Sequence, residues 1–254
     1  MLKYSGNTIN DWYCGASNLI KMYRNGAVVY QKIGANSPTP PTPPTFDGKW
    51  LATYSDSSTA SAECNVENTI IAYGDIDTNN LVAAEVGSCV TELRADESYY
   101  GAFDSAVSLT SVTLNEGLQI IGVSAFYYCR SLPSVEIPNS VTSIGNSAFF
   151  QCESLTSVTI PNSVTSIDGA AFFYCRSLSS VTIPSGVTFI GDSAFFQCES
   201  LTAITCEATT PPRLGSSVFD STNNCQIYVP SASVEAYKTA SGWSTYASRI
   251  QPIQ

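Results

Sequence analysis

Residues 155–177 read Leu155-Thr156-Ser157-Val158-Thr159-Ile160-Pro161-Asn162-Ser163-Val164-Thr165-Ser166-Ile167-Asp168-Gly169-Ala170-Ala171-Phe172-Phe173-Tyr174-Cys175-Arg176-Ser177. Val158 and Ile160 alternate with Ser157 and Thr159, the period-2 pattern of a short strand with one buried face. Pro161 lacks the N–H that a central ladder requires, so the strand ends there. Val164 and Ile167 begin a return path, and Phe172 fills the interior. Neighbouring stretches repeat this pattern at intervals of 23 residues.

Working outward, leucine recurs at Leu109, Leu132, Leu155, Leu178 and Leu201, and isoleucine at Ile121, Ile144, Ile167 and Ile190. Ala-Phe pairs follow at Ala125-Phe126, Ala148-Phe149, Ala171-Phe172 and Ala194-Phe195, and cysteine closes each unit at Cys129, Cys152, Cys175 and Cys198. A fixed period of this length is the mark of a solenoid. No single unit can bury its apolar set alone; stacking buries all of them as continuous ladders at a strand spacing of about 4.8 Å. The pattern loosens at both ends. Upstream, Ala84-Glu85-Val86 and Val90–Leu93 keep the phase, but a five-residue insertion precedes Ala102-Phe103. Downstream, Leu214, Val218-Phe219 and Ile227–Pro230 continue it with one slipped residue. The predicted architecture is a β-rich solenoid of 23-residue units with short parallel strands, capped at both ends and preceded by a small β-hairpin module.

Nine cysteines would ordinarily point to a disulfide framework, but four of them occupy one equivalent position. Stacked in line, their Cβ vectors run parallel at roughly the coil spacing, longer than the ~3.8 Å a disulfide needs. They are expected to be buried thiols acting as small apolar fillers. The residue after each cysteine alternates, Arg130, Glu153, Arg176, Glu199, and two positions earlier Tyr128, Gln151, Tyr174 and Gln197 alternate too. This 46-residue super-repeat predicts a ladder of exposed ion pairs.

Five segments follow. Residues 1–35 carry Lys3, Lys21, Arg24 and Lys32 against Asp11, a balance of +3, leaving −13 for the rest of a chain whose net charge is −10. Here Asn25-Gly26 is a strong type I′ hairpin signal between Ile20–Arg24 and Ala27–Ile33; so small a basic module is expected to anchor onto something larger. Residues 36–45 are a Pro/Thr-rich polyproline II linker, about 28 Å long from Ser37 at about 3.1 Å per residue. Residues 46–80 form an N-terminal β cap, with a hairpin from Trp50–Tyr54 and Thr59–Cys64. Residues 81–230 are the solenoid. Residues 231–254 form a C-terminal cap, in which a short helix over 234–240 has a serine N-cap, and Trp243, Tyr246 and Ile250 cover the open apolar edge.

The chain has no histidine, which removes His-based triads, metal sites and acid–base catalysis. Its acidity argues against nucleic acid as a partner. No stretch has the length of a membrane span, and no apolar run of signal-peptide length opens the sequence. Asp96 and Glu97 are adjacent, so in an extended loop they point apart and do not form a carboxylate pair. No Gly-x-Ser-x-Gly elbow occurs. The expectation is a non-enzymatic binding protein without cofactor or metal. Its candidate contact face is the outward side of the strands: Ser111, Thr113, Ser134, Glu136, Ser157, Thr159, Ser180, Thr182, Thr205 and Tyr228. Tyr99 and Tyr100 in the insertion form a candidate recognition loop.

With these residues in view, Leu-x-x-Val-x-Ile resembles the core of leucine-rich repeats, and the extension through Pro138–Cys152 resembles the BspA-like class of that family, over about residues 81–230. Tyr228-Val229-Pro230 through Tyr237, Trp243 and Ile250 resembles the family's usual ending. The resemblance implies adhesion or protein–protein recognition at a host or cell surface, and transfers no specific site. Residues 7–12 and 22–30 resemble N-terminal segments of structural proteins of gut Bacteroides phages and prophages. That implies an alternative, a virion tail or fibre component anchored through residues 1–35 to the virion instead of a cell envelope.

Overall fold

The computed structural model describes strand backbone at residues 3–4, 7–8, 11–15, 19–24 and 27–32, and the chain over 50–62, 70–72, 74–95 and 99–254, with backbone alone at 70 and 72. Two compact units make up the chain, Met1–Phe46 and Asp47–Gln254. In the first, Lys3–Tyr4 pairs antiparallel with Asn7–Thr8. Leu19–Arg24 is central in an antiparallel meander between Asp11–Gly15 and Ala27–Lys32. Arg24 pairs with Ala27, leaving two residues for the connection, which suits Asn-Gly. The strand Asp11–Gly15 goes beyond what the hairpin signal announces. The expected polyproline linker lies outside the described residues.

The second unit is a solenoid with two parallel ladders. One carries the face-forming strands Leu81–Val86, Ser111–Leu114, Ser134–Glu136, Ser157–Thr159, Ser180–Ile183, Ala203–Cys206 and Gln226–Val229. The other is a continuous sheet of seven short strands, from Ile70–Ala72 through Ser143–Ile144 and Ser166–Ile167 to Arg213–Leu214. Pairing follows the period of the sequence: Val135 faces Val158, Ile144 faces Ile167, and Ile167 faces Ile190. The upstream insertion falls between the ladders and the Phe stack. Leu93 faces Ile121 in the sheet, 28 residues on, whereas Phe103 stacks on Phe126, 23 residues on.

Between the return strand and the next face strand lies a turn with its own bonding rule. Alternate N–H groups fold back locally: Ala125 to Gly122 O, Tyr127 to Ser124 O, Cys129 to Phe126 O. The intervening ones reach the next coil: Ser124 to Asn146 O, Phe126 to Ala148 O, Tyr128 to Phe150 O. From Ser124 to Arg130 every N–H is thereby satisfied, as buried backbone requires. The geometry puts two non-glycine residues per coil in the left-handed region, among them Ser124 and Tyr128, Ser147 and Gln151, Ser193 and Gln197. A left-handed residue costs roughly 1–2 kcal/mol, here offset by bonds to the next coil.

The core is a stack of rings. Phe103, Phe126, Phe149, Phe172, Phe195 and Phe219 lie fully buried with centroids 5.0–5.9 Å apart. Trp243 and Tyr246 close its C-terminal end at 5.7 and 5.4 Å from Phe219. Trp243 Nε1 donates to Pro212 O, Tyr237 OH to Ala208 O, and Tyr246 OH to Asp220 Oδ1. The Arg249 guanidinium donates to the carbonyls of Cys225 and Phe219 and to Thr222 Oγ1. The last coil's carbonyls therefore do not end unpaired.

Two local expectations need correction, and one holds over the residues described. The short helix spans Val234–Thr239, and Ser233 makes no side-chain cap; its Oγ donates instead to Thr209 O, tying the helix to the preceding coil. Ile250 does more than cover an edge: Ile250–Pro252 is a further parallel strand, with Ile250 facing Ile227. At the other end, Trp50–Tyr54 pairs antiparallel with Leu81–Val86 and with Thr59–Ala62. Residues 63 and 64 of the expected second strand lie outside the described residues.

Candidate functional site

The strand face divides Ser and Thr into two chemically different rows. In the first, Thr110 Oγ1 donates to Val82 O, Thr156 to Pro133 O, Ser179 Oγ to Thr156 O, and Thr202 to Ser179 O, at 2.9–3.2 Å. These hydroxyls are structural, each bonded to the coil before it. In the second row the side chains point off the sheet. Ser111, Thr113, Ser134, Glu136, Ser157, Thr159, Ser180 and Thr182 are all exposed. Among the described residues, none of these eight has a side-chain hydrogen-bond partner in the protein. Their backbones are fixed by parallel pairing, Ser134 to Ser157 and Glu136 to Thr159. Thr205 and Tyr228 lie on the same line, paired with each other. They are half-buried, because the added strand Ile250–Pro252 brings Gln251 beside Tyr228.

The row is not uniform. Pro133 occupies the place where Thr110, Thr156, Ser179 and Thr202 each donate N–H to a carbonyl of the preceding coil. Proline has no N–H to give, so that bond is missing here; ladder pairing lapses between Ser111–Leu114 and Ser134–Glu136, as it also does between Ser157–Thr159 and Ser180–Ile183. A shallow cleft of about 190 Å³ opens there, lined by Thr113, Leu114, Glu116, Glu136, Ile137 and Asn139 among others. Glu116 is spoken for, accepting from the N–H groups of Asn139 and Ser140. Glu136 is not. The face thus offers Glu136 among rigidly held hydroxyls, with Glu85 in register with Thr113 one strand earlier, an arrangement that suits hydrogen bonding to a partner surface.

Tyr99 and Tyr100 are exposed, at 75% and 49%, and Tyr99 has φ +69°. The structure does not bring them together with the strand row through any described contact. Asp96 and Glu97 lie outside the described residues. Among the described residues, no cluster of three or more Cys, Asp or Glu could hold a metal ion, and no helix is long and apolar enough to cross a membrane.

The cysteines behave differently from simple fillers. Cys129, Cys152, Cys175 and Cys198 are free and fully buried. Each Sγ donates to a phenylalanine carbonyl of the coil before it, those of Phe103, Phe126, Phe149 and Phe172, all at 3.2 Å. Burial pushes these thiols far above their ordinary range, so they are poor nucleophiles. Cys89 stands apart and is held in a disulfide, which the in-line spacing of the other four does not reveal.

A further surface was not marked by the strand pattern. Tyr127, Phe150, Phe173 and Phe196 are half-buried and stack at 4.7, 4.8 and 5.1 Å, a second aromatic row parallel to the core stack. Beside it, Arg130 pairs with Glu153 at 3.3 Å and Arg176 with Glu199 at 3.6 Å. Arg130 and Arg176 also lie over the rings of Tyr128 and Tyr174. The ion pairs are discrete couples within each 46-residue unit. The signal for the aromatic row was present as a 23-residue spacing one position after each core Phe.

Comparison with known proteins agrees with this architecture. The BspA type leucine-rich repeat region matches residues 97–233 in six copies. No curated protein matches significantly. Among solved structures, a leucine-rich repeat protein of T. pallidum is 22% identical, covering 74% of this chain and 80% of its own, with a TM-score of 0.46. A leucine-rich cell surface protein of Faecalibacterium prausnitzii A2-165 is 22% identical, covering 79% and 73%, with a TM-score of 0.41. A leucine-rich repeat protein of Bacteroides ovatus is 17% identical, covering 100% and 76%, with a TM-score of 0.37.

Proposed function

The chain belongs to the BspA-type leucine-rich repeat family, and on that premise we propose that it is a non-enzymatic adhesion protein. Its outward strand row, centred on Glu136, Thr159 and Thr182, recognises a protein displayed on a host or cell surface. One observation carries this reading: the Ser and Thr side chains of the strand face separate into a row bonded to the preceding coil and an outward row with no side-chain partner among the described residues. Hydroxyls held at strand spacing with their bonds unmade are preorganised for a ligand, which lowers the ordering cost of association. The cleft beside Glu136 adds a charged group to that row. Display outside the cell is supported by the Cys89 disulfide, since such bonds persist in oxidising compartments.

The test is binding of labelled full-length protein to arrayed extracellular matrix proteins and to intact cells. The triple variant Glu136→Arg/Thr159→Arg/Thr182→Arg should lose binding at least tenfold while keeping its circular dichroism. Equal retention by wild type and variant rules this face out. The resemblance of residues 1–35 to phage structural proteins supports a second reading, in which that module docks into a virion and the array reads the host cell. Antibody labelling of purified phage particles against cell envelopes separates the two.

A further inference from the structure

We infer that the half-buried aromatic row and the charged row beside it form a self-complementary surface that binds a second copy of this chain, antiparallel, about a twofold axis midway between the coils of Phe150 and Phe173. The carrying observation is order. Along the solenoid the charges run Arg130, Glu153, Arg176, Glu199. Reversed, the row runs Glu199, Arg176, Glu153, Arg130. Two copies facing each other antiparallel therefore set an opposite charge against every member, Arg130 against Glu199 and Glu153 against Arg176, four contacts in all. A parallel copy would set Arg on Arg and Glu on Glu. Such reciprocity, in which residue i meets j and j meets i, is what a twofold interface requires.

Two neighbouring rows obey the same rule. Tyr128, Gln151, Tyr174 and Gln197 reverse so that each ring meets an amide, large against small. The aromatic row of Tyr127, Phe150, Phe173 and Phe196 is apolar throughout and matches itself in either direction. The rows are contiguous, because Tyr128 touches Phe150 edge-on at 6.0 Å and Arg130 lies over Tyr128 at 4.8 Å. In-chain pairing does not spend the charges: the side chains of Arg130, Glu153, Arg176 and Glu199 remain 51%, 37%, 44% and 55% exposed.

Electrostatics also favours this face over the rest of an acidic body. Between residues 101 and 230 the only cations are Arg130, Arg176 and Arg213, against nine carboxylates. Two of the three cations lie in this row, which is neutral in sum, so it is where two acidic arrays can approach with least repulsion. Four coils at about 4.8 Å give a patch only about 19 Å long. That places the pair among small interfaces, below about 1,200 Å² in total, and makes it dependent on concentration, formed where copies are clustered and dissolved where they are dilute.

Sedimentation velocity of the full chain over a wide concentration range, with native mass spectrometry of isotopically labelled mixtures, tests this. Wild type should show a monomer–dimer equilibrium. Arg130→Glu/Arg176→Glu, with an all-acidic row, should weaken it about tenfold or more, since four exposed contacts turn repulsive. The fourfold exchange Arg130→Glu/Glu153→Arg/Arg176→Glu/Glu199→Arg should restore it, because the exchanged row is again self-complementary. Mixed with wild type, the exchanged chain should form homodimers of each kind but no heterodimer, since Glu then meets Glu across the axis. Both chains in that mixture keep their in-chain ion pairs, so impaired folding cannot produce the result. A wild type that stays monomeric throughout, an oligomer indifferent to these charges, or free heterodimer formation would each overturn the inference.

Discussion

Replacing Phe149 by alanine tests whether the core stack, and not the strands, holds the coils together. Phe149 is fully buried, with its centroid 5.1 Å from Phe126 and 5.2 Å from Phe172. A buried Phe→Ala change costs about 3–5 kcal/mol through lost transfer energy and the cavity left behind. Both stacking partners are lost at once, so the upper half of that range is expected. The control is the adjacent Phe150→Ala. Its ring stacks just as closely, at 4.7 and 4.8 Å, but is half-exposed. Losing two stacked contacts and part of a ring's burial should cost about 1–2 kcal/mol. Urea titration followed by tryptophan fluorescence reads both. Trp50 lies near the N-terminal end of the array and Trp243 at its C-terminal end, and Trp12→Phe removes the remaining indole. In a solenoid each coil touches only its neighbours, so a weakened middle should uncouple the ends. Chains retaining only Trp50 or only Trp243 should unfold together in wild type and at different urea concentrations in Phe149→Ala. Equal costs for Phe149→Ala and Phe150→Ala, or coincident transitions after a loss of 3 kcal/mol or more, would refute the reasoning.

Two further outcomes follow from named contacts. The six free cysteines from Cys129 to Cys225 are buried and should resist a thiol reagent in the native state, then all react on unfolding without reductant. Because burial raises the thiols of Cys129, Cys152, Cys175 and Cys198 in the folded chain, their stabilising contribution is complete below the unfolded thiol range of about 8.5. It falls as pH rises beyond that range, because the unfolded chain then sheds protons that the folded chain keeps; an increase in stability between pH 8.5 and 10.5 would contradict this. Arg249→Lys should cost about 2–3 kcal/mol in denaturant titration, since an ammonium cannot reproduce the fork that reaches Cys225 O, Phe219 O and Thr222 Oγ1.

Much of this fold was legible because the sequence repeats. A residue's partner in the next coil is the residue 23 positions on, so Val135 opposite Val158 and Ile144 opposite Ile167 needed only counting. The same counting reaches Ile250 from Ile227, a strand that the apolar pattern alone disguises as a cap residue. Turn geometry was less legible. Ser124 and Tyr128 adopt left-handed backbone without glycine, driven by bonds to a coil not yet formed when local propensity is read. The thiol donors were hidden for a similar reason: spacing places Cys152 in the interior, but only three dimensions put Phe126 O beside it. At the candidate site, alternation identified the outward side chains. It could not separate Thr156, whose hydroxyl bonds back to Pro133 O, from Thr159, whose hydroxyl has no partner among the described residues, because that difference lies in the offset between stacked coils.

The alternation of Arg130, Glu153, Arg176 and Glu199 has a consequence for how such an array is inherited. A gene of near-identical segments gains and loses copies by misaligned recombination. Loss of one inner coil would abut Arg130 with Arg176, or Glu153 with Glu199, like charges on adjacent turns. Loss of two would leave the alternation intact. The structural period is one coil, but the smallest unit that can be copied or deleted inside the row without a local charge clash is a pair. Natural length variants that arise inside this row should therefore differ by even numbers of coils.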